Sequence, residues 1–271
     1  MSVPEVVIEL AALHGLAVKD PVVLHDSYNL RIHLRPYPVV ARVATVTSLG
    51  RPRPGEALAR ELSVASFLAE RGAAVVPPTD LMPPGPFSHA GLDVSFWQFV
   101  EHDPARVFQP GEVAAALAEL HEALRDYPGE LPYLGPALEE TAHLIETVDV
   151  PDRFRAAFAD VGDRLRGRPA QALHGDAHPG NLLATAEGLL WTDFEETCSG
   201  PVDWDLACLA RTSRLDGAEA VRLYGRRPDP AFSEARELQA IAWMLTKARA
   251  FPEFEESARA YLGKWLDEHP A

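Results

Sequence analysis

Leu173-His174-Gly175-Asp176-Ala177-His178-Pro179-Gly180-Asn181-Leu182-Leu183 is the stretch from which the fold is read. Its Gly and Pro residues shape a loop whose polar side chains a rigid scaffold can position. The apolar runs Leu182-Leu183 and Leu189-Leu190-Trp191 flank Ala186-Glu187-Gly188, which predicts a small hairpin set among helices. Downstream, residues 203–266 read as helices, punctuated by Asp216-Gly217 and by Pro228 and Pro230. Upstream, Val113, Leu117, Leu120 and Leu124 keep helical spacing between Gly111 and Pro128, and two further helices are expected over 137–147 and 152–166. The first hundred residues read mostly as strands: 22–24, 30–34, 39–46 and 92–100. They enclose one helix after Gly55, with Leu58, Leu62, Ala65 and Ala69 on one face and Gly72 as its stop. A strand-rich front joined to a helical back near residues 100–103 predicts an α+β fold of two lobes, 1–101 and 102–271.

Asp176 and Asn181 stand in the spacing H-x-D-x-x-x-x-N, and Trp191-Thr192-Asp193-Phe194-Glu195 follows one hairpin later. This is the spacing of a kinase catalytic loop and its D-F-G segment. Phosphoryl transfer needs hard oxygen ligands for Mg²⁺ and one carboxylate near the attacking hydroxyl, and two loops tied by a hairpin can deliver all of them to one point. The plain alternative is that His174, Asp176 and Asn181 cap turns; it leaves the register of Asp193 unexplained. His174-x-Asp176-x-His178 could also begin a zinc site. That reading needs a further ligand and leaves Asn181 and Asp193 idle. His121 reads as a packed or surface histidine.

The runs LHGDAHPGNLL (173–183), TDFEE (192–196) and GPVDWDLA (200–207) together resemble the aminoglycoside phosphotransferase and choline kinase-like family, over most of the chain. The resemblance implies a bilobal protein-kinase-like fold. It implies Asp176 as catalytic base, and Asn181 and Asp193 as Mg²⁺ ligands. Asp203 or Asp205 is expected to anchor the following helix; Asp205 is read as structural and Asp203 is held open as an acceptor-side residue.

In the front lobe, His25-Asp26-Ser27-Tyr28-Asn29 stands where the family often shows a glycine followed by Ser-x-Asn. Ser27 and Asn29 keep that ending, but Asp26 replaces the glycine, so fewer backbone N–H groups are expected to approach the phosphates. Arg42 takes the place of the kinase lysine on the third strand, where a guanidinium can grip a phosphate with two hydrogen bonds. The alternative is a solvated strand arginine. At ~100° per residue, Glu61 falls at the edge of the apolar helix face while Glu56 points away, so Glu61 is the expected partner of Arg42. Trp97-Gln98-Phe99-Val100 resembles the hinge that receives adenine, through backbone groups of Gln98 and Val100.

The 271 residues carry 25 basic and 40 acidic side chains, a net charge of −15. Such a chain lacks the basic footprint of a nucleic-acid binder and is repelled by anionic lipid. Cys198 and Cys208 are the only cysteines, too few for a disulfide framework or a zinc cage. They read as buried thiols of a cytoplasmic protein. Residues 1–16 have no basic segment before their apolar residues and contain Glu5 and Glu9, unlike a signal peptide.

The expected activity is transfer of the γ-phosphoryl of ATP, with GTP left open, to a hydroxyl of a small molecule. The short interval from Asp193 to Asp203 argues against a long activation loop and a protein substrate. Glu195, Glu196 and Asp203 are acceptor-side candidates, from which an amine-bearing acceptor such as an aminoglycoside or amino sugar is expected, unless Glu195 and Glu196 form only a solvated edge. The competing expectation, kept open by Asp26 and Arg42, is a non-catalytic nucleotide-binding sensor or immunity protein. Acceptor identity and oligomeric state are not legible.

Overall fold

The computed structural model describes residues 1–51 and 53–270. Strands β1 (Asp20–Asp26), β2 (Asn29–Arg35), β3 (Val39–Ala44), β4 (Phe87–His89) and β5 (Leu92–Gln98) form one antiparallel sheet in the order β1-β2-β3-β5-β4. Alternation along these strands sends successive side chains to opposite faces. Leu30, Ile32, Leu34, Val39, Ala41, Val43, Val94 and Phe96 bury one face against Val7, Leu10 and Ala11 of helix α1 (Val3–Leu13). The strand-dominated expectation omitted α1. Its signal is present in the sequence: Val6, Val7, Leu10 and Ala11 recur at helical spacing, and the Ser2 backbone N–H donates to the Glu5 carboxylate at 2.7 Å.

The other sheet face carries Arg31 and Arg42, which are directly opposite in the β2–β3 register. Strand β3 stops at Ala44, two residues short of the expected end, because the chain turns into the short helix α2 (Thr47–Gly50). Helix α3 (Pro54–Glu70) lies where the periodicity placed it and buries Leu58, Leu62, Ala65 and Leu68. Leu62, Phe67 and Leu68 share a core with Val113, Leu117 and Leu120 of helix α4 (Pro110–Leu124), together with Trp191 and Phe194.

The helical part continues through α5 (Thr141–Thr147), entered by a π-helical turn at Pro136–Glu140, and α6 (Asp152–Leu165). Next come the segments that frame the site: β6 (Gln171–Leu173), β7 (Leu182–Ala184), β8 (Leu189–Trp191) and β9 (Cys198–Gly200). Strand β6 pairs with β9, and β7 with β8, the expected hairpin. Helices α7 (Asp203–Ala210), α8 (Gly217–Tyr224), α9 (Pro230–Ala250) and α10 (Glu255–Glu268) complete the chain. Phe232, Leu238, Ile241 and Ala242 of α9 sit in the same core as Phe154 of α6, Trp204 of α7 and Trp265 of α10. Among the described residues no helix is long and apolar enough to cross a membrane.

Candidate active site

The loop after β6 is fixed from beneath by Asp205. Its carboxylate, fully buried, accepts the backbone N–H of His174 at 3.0 Å and of Gly175 at 2.8 Å, and meets His121 Nε2 at 2.9 Å. Trp204 Nε1 donates to the Gly175 carbonyl at 2.7 Å. Gly175 has φ +89°, and a Cβ there would fall 1.8 Å from the Glu196 carbonyl oxygen, so only glycine fits. Asp205 therefore ties α7 to the loop. His174 is buried, with Nδ1 accepting from the Asp176 N–H at 3.3 Å and Nε2 against the Thr192 carbonyl at 3.1 Å. His178 Nδ1 accepts from the Gly180 N–H at 2.9 Å. These ring nitrogens serve the loop itself, which removes the basis for a zinc site at His174 and His178.

Asp176 is ion-paired with Arg236 of α9 and lies 3.3 Å from His178 Nε2. Burial opposes its ionisation, but Arg236 and His178 prevail and hold the carboxyl well below the usual carboxylate range. Asn181 donates its amide N–H to the Asp176 backbone carbonyl at 2.9 Å and to its carboxylate at 3.2 Å, which leaves the amide oxygen as the available ligand atom. Asp193 sits in the left-handed region, φ 69° and ψ 56°, where the chain turns out of β8. It pairs with Arg31, and with Arg42 Nη2 at 2.6 Å. Against the cost of burial, Arg42 and Arg31 pull its pKa down to about 2. One neutral and one anionic oxygen donor, beside an ionised Asp176, suit a hard cation such as Mg²⁺.

Arg42 is buried and pairs with Glu61, Asp193 and Glu195. It is not a solvated strand arginine, and the expected Glu61 contact is made. Burial pushes Glu61 up to about 8 against the pull of Arg42, and its Oε2 has no hydrogen-bond partner. Arg51, at the end of α2, is buried too and joins Glu195, Glu140 (2.6 Å) and Glu196 (3.6 Å).

Several expected positions differ. Asn29 does not face a phosphate site: it is buried, donates to Glu195 at 2.7 Å and accepts from Thr47 Oγ1 at 2.7 Å, so both ends of its amide are committed. Glu195 is buried among Arg42, Arg51 and Asn29 rather than lining an acceptor surface. Asp203 binds Arg226 at 2.5 Å and the Asp229 N–H at 3.1 Å, partners outside the cluster around Asp176. Glu196 remains near that cluster, 3.1 Å from Gln239 Nε2 and 3.7 Å from Arg236, and burial with Asp176 nearby raises it to about 8. The Gln98 N–H donates to the Pro77 carbonyl at 3.1 Å, because β5 ends against the loop after α3, and is not free for adenine. Gln98 and Val100 line a cavity of about 780 Å³ with Glu112, Ala116 and Leu189; it contains neither Asp176, Asn181, Asp193 nor Arg42 and lies off the chemistry.

Sequence reasoning missed Arg31, Arg51, Arg236 and Lys247. Lys247 of α9 donates to Ser27 Oγ at 3.0 Å and lies 5.1 Å from the centre of the Tyr28 ring, while Tyr28 meets Trp243 edge-on at 5.8 Å. The turn between β1 and β2 thus rests on α9. Arg31 had a signal, a basic residue in an alternating strand; the others act across long sequence distances and had none.

The sheet lobe, the helical lobe and the loop–hairpin–Asp193 arrangement between them define the bilobal α+β fold of the protein-kinase-like phosphotransferases. Residues 25–238 match the model of the phosphotransferase enzyme family, and the chain belongs to that family. Among solved structures it is similar to the amicoumacin kinase hAmiN, bound to AMP-PNP and Ca²⁺: TM-score 0.71, 14% identity, covering 99% of this chain and 95% of that one. It is also similar to the choline kinase LicA from Streptococcus pneumoniae, with TM-score 0.64 and 17% identity over 98% and 99% of the two chains. A thermostable mutant of the aminoglycoside phosphotransferase APH(4)-Ia gives TM-score 0.65 and 15% identity over 98% and 99%. At these identities the likeness is one of fold. No match was found among curated proteins.

Proposed function

We propose that the chain transfers the γ-phosphoryl group of ATP to a hydroxyl of a small molecule in the cytoplasm. The observation that carries this reading is the convergence of Asp176, Asn181 and Asp193 with the buried Arg42–Glu61 pair. Asp176, ionised at neutral pH, orients the acceptor hydroxyl and takes its proton. Asn181 and Asp193 would hold Mg²⁺, which when bound neutralises charge on the donor phosphates. Arg42 is a phosphate-side cation that Glu61 positions, and Ser27 supplies a hydroxyl on the turn between β1 and β2. Residues 1–101 serve as the nucleotide lobe and 102–271 as the acceptor lobe, with the Val100 backbone as the remaining adenine contact.

The similar structures include complexes with AMP-PNP and with ADP plus hygromycin B, which supports a nucleoside triphosphate donor and a small-molecule acceptor. The premise for an amine-bearing acceptor is weaker than the sequence suggested. Glu195, Asp203 and Asp205 are each paired, and Glu196 holds its proton to about 8. The acceptor is therefore proposed as a hydroxyl compound without an assigned charge.

The test is a panel of aminoglycosides, amino sugars, choline-like alcohols and nucleosides offered with Mg·ATP and scored for ADP release. Asp193→Ala should abolish metal-dependent nucleotide binding and turnover. Raised Mg²⁺ should rescue Asn181→Ala better, because a neutral amide is the weaker ligand. Nucleotide binding with no acceptor turned over would favour the sensor alternative. Failure to bind nucleotide at all would overturn both.

A further inference from the structure

We propose that Arg31 is a ligand of the donor phosphates, taking over what close backbone N–H groups supply in a glycine-rich turn. This inference rests on the nucleotide-binding reading above.

The geometry begins with the sheet. Arg31 and Arg42 are directly opposite across β2 and β3, so both side chains leave the same face, and both end on Asp193. They are not equivalent. Arg42 is 4% exposed and shared among Glu61, Asp193 and Glu195, so its N–H donors are already divided among three acidic side chains. Arg31 is 29% exposed, and among the described residues Asp193 is its one ion-pair partner. A guanidinium has five N–H donors in a planar fork, and a single carboxylate oxygen leaves most of them open.

The charge balance points the same way. A bound triphosphate brings about four negative charges and a metal ion neutralises about two of them. Arg42 is largely committed. The turn between β1 and β2 carries Asp26 where a glycine would let the backbone approach, and Ser27, whose oxygen accepts from Lys247, has a single O–H to offer. Arg31 starts two residues beyond that turn, on β2, and its fork touches Asp193 through one nitrogen. Asp193, the one ion-pair partner of Arg31 among the described residues, would also hold the metal ion, and donor phosphates would offer the Arg31 fork an alternative anion.

The experiment measures equilibrium binding of AMP, ADP and ATP, with and without Mg²⁺, to the full chain and its variants. Arg31→Ala should weaken Mg·ATP binding by roughly 10- to 100-fold, the range of a charge-assisted hydrogen bond to an ionised group. AMP binding should change less than twofold. Arg31→Lys should recover part of the loss, since the point charge survives without the fork. A merely structural Arg31–Asp193 pair would weaken AMP and ATP alike, or neither, and leave the ATP-to-AMP affinity ratio at its wild-type value; that result overturns the proposal while leaving the kinase reading standing. Wild-type protein that binds none of the three nucleotides overturns the reading itself. Because Arg31 is partly solvent-exposed, Arg31→Gln provides a second neutral variant of similar length should Arg31→Ala fold poorly.

Discussion

The loop 174–181 and the turn 26–29 approach each other at the cleft and are held by different means. The loop is bound to its own neighbourhood: Asp205 accepts two backbone N–H groups, Trp204 donates to the Gly175 carbonyl, and Asn181 N–H reaches back to His178. The turn has a backbone bond from Thr47 to Tyr28, but Ser27 and Tyr28 rest on Lys247 and Trp243, more than 200 residues away, and Asn29 on Glu195. A network of backbone bonds to one buried carboxylate fixes a geometry in a few residues. A turn seated on a distant helix takes its position from the whole fold.

The sharpest way to break the comparison is at the reacting end of the loop. Asp176→Asn keeps the shape and most hydrogen bonds but removes the proposed base, so acceptor phosphorylation should fall ~10²–10⁴-fold. Nucleotide affinity should stay within about twofold of wild type. Wild-type turnover in single-turnover assays would take Asp176 out of the mechanism.

The next test removes the anchor. Asp205→Ala orphans the buried N–H groups of His174 and Gly175 and takes a partner from His121, and unmade buried hydrogen bonds cost ~1–3 kcal/mol each. Chemical denaturation should register a loss of about 2 kcal/mol or more, with Asp205→Asn intermediate. Unchanged stability would mean the loop is held elsewhere.

Glu196 gives an effect that depends on pH. Burial holds its folded pKa at about 8, above the ordinary glutamate value of 4.5, so the unfolded chain ionises first. Between those values the native state binds more protons, and the contribution of Glu196 to stability declines as pH rises, by ~1.4 kcal/mol for each unit of separation. Glu196→Gln should flatten the fall of unfolding free energy between pH 5 and 8. An unaltered slope would show that another group causes it.

The least effect is expected on the turn. Lys247→Met removes a partly exposed contact to Ser27, and such contacts contribute ~1 kcal/mol or less. Stability should barely change. A large loss would make the turn as firmly held as the loop and erase the contrast.

This contrast also marks what the sequence made legible. That Asp176 and Asn181 share one loop and that Asp193 follows one hairpin later was readable, because this placement depends on short spacings. Glu61 was readable from helical periodicity. The buried positions of Asn29 and Glu195 were not readable because burial is a tertiary outcome: Glu195 is drawn inward by Arg42 and Arg51, whose positions no local pattern gives, and Asn29 bonds to Glu195. Helix α1 is legible too, since Val6, Val7, Leu10 and Ala11 recur at helical spacing. Arg236 meets Asp176 across 60 residues, and no spacing rule connects them.

Helix α3 has one further consequence. It carries Glu61 toward the sheet while its Leu62, Phe67 and Leu68 lie in the same apolar core as α4, Trp191 and Phe194. The apolar interior therefore runs through from one lobe into the other instead of stopping at a seam. Melting either part would expose surface that the other also needs, so their unfolding is thermodynamically linked. Calorimetry should accordingly record one endotherm, with calorimetric and van't Hoff enthalpies in agreement, where two lobes joined only by a strap would melt in two steps.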